Sequence, residues 1–154
     1  MVFEEDFGTQ RVDGLSQWIG DHPVLLINKA CPTDRRRLTM AHELGHIVLH
    51  NGLATDDPER EANEFAAEFL MPSHVIKAEL RSLTLGKLQD LKQVWGTSMQ
   101  SLYERAYSLV KYIGKTLQSR GLSTQEIAEI TGFDSSEDTN PFLPAPTHRH
   151  LSAV

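Results

Sequence analysis

The sequence has little cysteine, no long apolar run and a shortage of positive charge. Its one cysteine, Cys31, cannot form a disulfide within the chain, which fits a reducing, cytoplasmic environment. The longest apolar run, residues 24–27, is the length of a strand and far short of the ~20 residues that a membrane span needs. The acidic N-terminus lacks the order of a signal peptide. Fifteen Lys and Arg residues against 21 Asp and Glu residues argue against binding nucleic acid by bulk charge.

The composition is that of a globular protein. With 154 residues, 40% hydrophobic and 23% charged, the chain is long enough to bury a core without disulfides. The sequence predicts a core domain over residues 1–84 and a helical C-terminal subdomain over residues 85–133. Residues 134–154 are rich in Ser, Asp and Pro, so we expect a flexible tail there.

The order of apolar and turn-forming residues predicts one hairpin followed by helices. Alternating and then continuous apolar residues over 12–28, divided by Gly-Asp-His-Pro at 20–23, are typical of two paired strands. Thr33 or Asp34 should cap the first helix. We expect helices over residues 35–50, 59–70, 73–83, 86–95 and 97–120. The Ser-x-x-Glu spacing at 123–126 predicts a capping box that opens a short helix ending at Gly132.

The most informative segment, residues 39–50, contains His-Glu-x-x-His, formed by His42, Glu43 and His46. On a helix this spacing places the two imidazoles about 40° apart on one face, with Glu43 about 100° from His42. Apolar residues and glycine fill most of the remaining circumference, so we expect a largely buried helix. Two imidazoles at this spacing form a zinc-binding face, and Glu43 is placed as a base and not as a ligand.

A catalytic zinc site needs a third protein ligand besides the two imidazoles. His50 lies about 12 Å along the helix axis from His42, too far to share the ion, and we expect it to cap the helix or line the cleft. The next helix carries carboxylates beside an apolar stripe made of Ala62, Phe65, Ala66, Phe69 and Leu70. Glu61 borders this stripe and Glu64 points away from its centre. We therefore predict Glu61 as the third ligand, with Glu64 as the second choice.

These motifs resemble the ImmA/IrrE family of zinc metallopeptidases. The resemblance rests on residues 37–46 and on residues 61–72, which read Glu-Ala-Asn-Glu-Phe-Ala-Ala-Glu-Phe-Leu-Met-Pro. Shorter matches lie at residues 13–16, 23–28 and 91–99, so that the resemblance covers roughly residues 12–110. Two long motifs at this separation are far more specific than the five-residue zinc signature alone.

The resemblance implies a fold, a site and an activity. The fold would be α+β and predominantly helical, a zincin-like domain of minimal gluzincin type. A small sheet would lie beside the His-Glu-x-x-His helix, ahead of a helical C-terminal part. One zinc ion per chain would be held by His42, His46 and Glu61, with Glu43 as the catalytic base. The activity would be that of an endopeptidase that cleaves a helix-turn-helix transcriptional repressor and so derepresses mobile-element or stress-response genes.

Other interpretations of the same residues stay open. Residues 88–109 have the helix–glycine turn–helix outline of a DNA-binding module, but the acidic chain argues against direct nucleic-acid binding, and these helices could hold a protein partner instead. A zinc-binding sensor or toxin-like protein without peptidase turnover also fits the motif. In the enzyme, an extended substrate could add to an exposed edge of the 12–28 sheet. The candidates for oxyanion stabilisation are His50, Tyr103, Tyr107 and arginines that are distant in the sequence.

Overall fold

A computed structural model describes residues 1–51, 55–123 and 125–126 of the chain. Its elements are β1 (Val2–Glu5), β2 (Gly14–Ile19), β3 (His22–Asn28), α1 (Thr33–Leu49), α2 (Pro58–Leu70), α3 (Ser73–Ile76), α4 (Leu85–Trp95) and α5 (Met99–Ser119). The predicted α+β class, predominantly helical with a small sheet, is confirmed. Contacts divide the chain into two units, Met1–Lys111 and Tyr112–Val154. The predicted domain boundaries after residues 84 and 133 stay predictions.

The sheet has three strands in the order β1-β3-β2, so β2 lies at an edge. β2 and β3 form the predicted antiparallel hairpin, which turns at Gly20 with a φ of 60° and pairs Ser16 with Leu25. β1 pairs with β3 in parallel, an element that sequence analysis missed. All four of its residues are exposed, so it has no alternation of apolar and polar positions to reveal it.

The end of the central strand is fixed by a buried amide. Asn28 is fully buried and donates from Nδ2 to the carbonyl oxygens of Thr9 at 2.7 Å and Val12 at 2.9 Å. Its Oδ1 accepts a hydrogen bond from the backbone N–H of Ala30. The loop that leads into β2 is therefore tied to β3, because an unpaired buried amide would be costly.

Helix α1 begins earlier than the sequence predicts. Its N-cap position is occupied by Pro32 without a side-chain hydrogen bond, so the predicted cap at Thr33 or Asp34 is wrong. The Asp34 carboxylate instead accepts a hydrogen bond from Lys92 Nζ at 2.9 Å, and this bond lowers the pKa of Asp34. Asp34 forms an ion pair with α4 in place of the cap, and a local sequence pattern does not show such a tertiary contact.

The later helices agree with the sequence except for α3. This helix has four residues, whereas a helix over 73–83 was expected, because the chain turns after Ile76 and reaches a positive φ of 49° at Ser82. Thr84 then caps α4, and α4 ends at Gly96 as predicted, in the left-handed conformation. Within the second unit, the predicted capping box is confirmed by mutual hydrogen bonds between Ser123 and Glu126. The predicted helix end at Gly132 and the tail over 134–154 lie outside the described residues.

Helices α1 and α2 pack closely through small residues. A Cβ atom added at Gly45 would lie 3.1 Å from Ala62 Cα and 3.2 Å from the Ala62 carbonyl oxygen. Ala62 and Ala66 are fully buried, so they mark the face of α2 that meets α1. This contact sets the distance between the helices that carry the predicted site. Among the described helices, none combines the length and the hydropathy required to cross a bilayer.

Candidate metal centre

A cleft of about 510 Å³ lies between strand β2 and helix α1. It is lined by Gly14, Leu15, Ser16, Gln17, Trp18, His42, Glu43, His46, Ile47, His50, Asn51 and Glu59. The sequence-predicted residues His42, Glu43 and His46 therefore share one cavity with the edge strand β2. His50 lines the cleft and is also the C-cap residue of α1, as expected.

Three side chains converge at the floor of this cleft. His42 Nε2 and His46 Nε2 lie 3.0 Å apart, as i and i+4 positions of one helix allow. The Glu59 carboxylate spans them, with Oε2 3.3 Å from His42 Nε2 and Oε1 3.4 Å from His46 Nε2. His42, His46 and Glu59 are the group among the described residues whose ligand atoms could hold a metal ion together.

The spacing of these atoms fits zinc. Zinc binds imidazole nitrogen and carboxylate oxygen at about 2.0–2.1 Å in tetrahedral geometry, which makes the distance between two ligand atoms about 3.3 Å. The two imidazole nitrogens, 3.0 Å apart, are close to that value, and each has one oxygen of the Glu59 carboxylate at 3.3 or 3.4 Å. The donor set of two imidazoles and one carboxylate is also one that zinc accepts. The residues present therefore fit a zinc ion.

The orientation of His42 is set by a side chain of α2. Asn63 Oδ1 lies 2.9 Å from His42 Nδ1, and a carbonyl oxygen can only accept, so His42 donates from Nδ1. The neutral ring then has its lone pair on Nε2, which faces His46 and Glu59. Metal-binding histidines are typically oriented by such a bond from the second ring nitrogen.

Glu61 lies beside His50. Glu61 Oε2 is 3.2 Å from His50 Nε2, and Thr55 Oγ1 donates to Glu61 Oε1 at 2.6 Å. The hydrogen bond from Thr55, followed by that from His50, lowers the pKa of Glu61. His50 Nδ1 is in turn 3.0 Å from His46 Nδ1. Glu61 therefore reaches the imidazole pair through an intervening ring.

Sequence analysis did not consider Glu59, the carboxylate that the structure brings to the imidazoles. The apolar stripe predicted that Phe69 lies on the core-facing side of α2, but this side chain is 59% exposed. The buried face is centred between Ala62 and Ala66, and from that direction Glu59 lies about 40° away and Glu61 about 120°. The signal that the sequence offered for the buried face was the pair Ala62 and Ala66, two small residues four positions apart that can pack against a glycine of α1. The prediction that Glu61 is a ligand stays a prediction, and Glu64 instead pairs with Arg60 at 2.8 Å.

Glu43 lies on α1 beside the metal-binding face and contacts the sheet. Ser16 Oγ donates to Glu43 Oε2 at 2.5 Å, across from strand β2 to helix α1. The carboxylate is thus fixed at the cleft by a hydroxyl that sequence analysis did not single out. A side chain in this position can take a proton from a water molecule in the cleft.

Of the histidine and the two tyrosines considered for oxyanion stabilisation, His50 lines the cleft. Tyr103 and Tyr107 lie on α5 and are absent from the cleft lining as far as the described residues define it. Tyr107 is 45% exposed. Both ring nitrogens of His50, however, already face other side chains, Nδ1 facing His46 and Nε2 facing Glu61.

A comparison with protein families matches the part of the chain that contains this site. The family model Peptidase_M78, the IrrE N-terminal-like domain, matches residues 1–107. The match contains the whole sheet, α1 and α2, and every residue that lines the cleft. No curated protein matches the chain.

Proposed function

The chain belongs to the Peptidase_M78 family, and on this premise we propose that it is a zinc-dependent endopeptidase with a zincin-like fold. Membership in the family indicates a metallopeptidase that acts on a protein substrate. The observation that carries the zinc chemistry is the convergence of His42, His46 and Glu59, whose ligand atoms all lie within 4.8 Å of one another.

The proposed ligands are His42, His46 and one carboxylate from the first turn of α2. Glu59 is supported by its distances to both imidazoles, whereas Glu61 is the carboxylate that the resemblance implies. When bound, zinc would supply the Lewis acidity that makes water more acidic and a peptide carbonyl more electrophilic.

The remaining chemistry falls to Glu43. Its carboxylate takes a proton from the attacking water and passes it to the nitrogen of the leaving amine. The hydrogen bond from Ser16 occupies Oε2 and holds the carboxylate in one rotamer, which leaves Oε1 to face the reacting water. This division of roles explains why Glu43 has to be adjacent to a ligand without being one.

The substrate binds as an added strand. β2 is an edge strand, and residues 14–18 of this strand line the cleft beside Glu43. An extended peptide that pairs with β2 therefore passes over the metal-binding face, held by backbone hydrogen bonds that do not depend on its sequence. We place a helix-turn-helix transcriptional repressor in this role because of the resemblance described above.

Metal analysis and proteolysis test this function together. Protein purified without chelator should contain one zinc ion per chain and should cleave a mixture of unstructured peptides, detected by mass spectrometry. Glu43→Gln should keep the zinc and the fold but lose cleavage, because Glu43 is a base and not a ligand. Wild-type protein that holds no zinc even after zinc is added would contradict the proposal, and so would a Glu43→Gln variant that cleaves at the wild-type rate.

The repressor is tested separately. The helix-turn-helix repressor encoded nearest to this gene should be cut at one position by the wild-type protein and left intact by Glu43→Gln. Cleavage of peptides without cleavage of such a repressor would retain the endopeptidase and remove this substrate. Zinc binding without cleavage of either would favour the sensor interpretation.

A further inference from the structure

We propose that Glu61 positions His46 through His50 and is not itself a metal ligand. The inference rests on the proposed zinc site and assigns a role to two side chains that the proposed mechanism leaves unused. His50 stands between Glu61 and His46, with one ring nitrogen facing each of them.

Glu61 contacts His50 directly. A carboxylate can only accept, so His50 Nε2, 3.2 Å from Glu61 Oε2, carries the proton. In the neutral ring the lone pair is then on Nδ1. Thr55 donates to the other oxygen of Glu61, which holds the carboxylate in place.

The ring of His50 in turn contacts the ring of His46. His50 Nδ1 is an acceptor, so its partner at 3.0 Å, His46 Nδ1, donates. The lone pair of His46 is therefore on Nε2, which faces His42 Nε2 and the Glu59 carboxylate. Without Glu61, His50 can equally donate from Nδ1, and His46 would then carry its proton on the nitrogen that has to bind the metal.

Helix α2 thus orients both imidazoles of the proposed site. Asn63 acts directly on His42, and Glu61 acts on His46 through one ring. The His50 side chain is 11% exposed and Glu61 35%, so both are better shielded from water than Glu59, which is 71% exposed. Two imidazole nitrogens and two carboxylate oxygens, all acceptors, then meet in the cleft, an arrangement that a bound cation stabilises.

A double-mutant cycle on zinc affinity tests the relay. Glu61→Ala should weaken zinc binding about 10–100-fold, the usual cost of a lost outer-shell partner. In His50→Asn the amide oxygen can replace Nδ1 as the acceptor for His46 and no longer depends on Glu61. Glu61→Ala should therefore cause little further loss in the His50→Asn background. An equal loss in both backgrounds would make Glu61 a direct ligand and overturn the inference.

Matched variants on the same helix serve as controls. Glu64→Ala, which removes an exposed carboxylate paired with Arg60, should bind zinc as the wild type does. Glu59→Ala should lose more affinity than Glu61→Ala, and its loss should be the same with or without His50→Asn. Competitive titration against a chelator of known affinity measures all these variants.

The tautomer of His46 gives a readout that does not require zinc or activity. Long-range nitrogen–proton NMR correlations of the histidine rings should show the proton of His46 on Nδ1 in the wild type and a mixture of tautomers in Glu61→Ala. A His46 proton on Nε2 in the wild type would refute the relay. If the wild type bound no zinc, the proposed function would fail, while this spectrum would still decide the relay.

Discussion

Replacing Gly45 by alanine should test how closely α1 and α2 have to approach. The new Cβ would lie 3.1 Å from Ala62 Cα, 3.2 Å from the Ala62 carbonyl oxygen and 3.2 Å from Phe65 Cδ1. Ordinary carbon contacts are about 3.5–4.0 Å, so α2 has to retreat by roughly 0.5 Å. Two of the three contacts are with backbone atoms, which cannot move aside by changing a rotamer.

The expected magnitude follows from two opposing effects. Alanine is favoured over glycine within a helix by about 1 kcal/mol, while overpacking costs about 1–3 kcal/mol. The free energy of unfolding should therefore fall by up to about 2 kcal/mol, which lowers the Tm by several degrees, at about 2–4 °C per kcal/mol. Because α2 carries Glu59 and Asn63, zinc affinity should fall as well, by about tenfold, as for a lost outer-shell partner.

Thermal melting by circular dichroism and chelator competition measure the two effects. Gly86→Ala is the matched control, since Gly86 is also helical but nothing lies within 4 Å of its added Cβ. That variant should gain up to about 1 kcal/mol and keep its zinc affinity. If Gly45→Ala raised the Tm as Gly86→Ala does, with unchanged zinc affinity, the close approach of α1 and α2 would not control the site.

Two further predictions concern the sheet contact and the acid limit of stability. Ser16→Ala should lower peptidase kcat about 10- to 150-fold at unchanged zinc content, because a hydrogen bond to a carboxylate contributes about 1.5–3 kcal/mol. Loss of zinc or an unchanged kcat would contradict the role of Ser16 in holding Glu43. Burial raises the pKa of Glu68, but hydrogen bonds from the Ser73 backbone and from Arg105 outweigh it and hold that pKa below its ordinary 4.5. Glu68 therefore stabilises the fold above about pH 4.5 and loses this contribution as the pH falls through its lowered pKa. The Tm of Glu68→Gln should lie below that of the wild type at neutral pH, and the difference should shrink in acid; a constant difference would exclude the linkage.

The sequence predicted the parts of the fold that have a local signal. The apolar run at 24–27 and the turn at Gly20 identified the hairpin, and the His-Glu-x-x-His spacing identified the helix at the cleft. Strand β1 could not be found in this way, because its partner β3 lies about 20 residues further along the chain and none of its side chains is buried.

The carboxylate that accompanies the two imidazoles shows a different limit of prediction from sequence. The sequence pattern predicted that both phenylalanines of α2 face the core, but Phe69 is 59% exposed. Helix α2 approaches Gly45 through the backbone of Ala62 and the ring of Phe65. Helical periodicity defines which residues share a face, and the size of the neighbouring side chains decides which face is buried. The buried face of α2 therefore differs from the predicted one, and Glu59 lies beside both imidazoles while Glu61 lies beside His50.

The position of β2 at an edge of the sheet also has a consequence for when a target can be cut. A segment pairs with this edge only while its own backbone hydrogen bonds are open, so a target that holds the segment in a helix is protected by its own fold. The rate of cleavage would then follow the population of locally unfolded target, which changes tenfold for every 1.4 kcal/mol of local stability. Control over such a reaction can therefore lie in the target, and whatever loosens one helix of that protein would act as the signal while the peptidase itself stays unchanged.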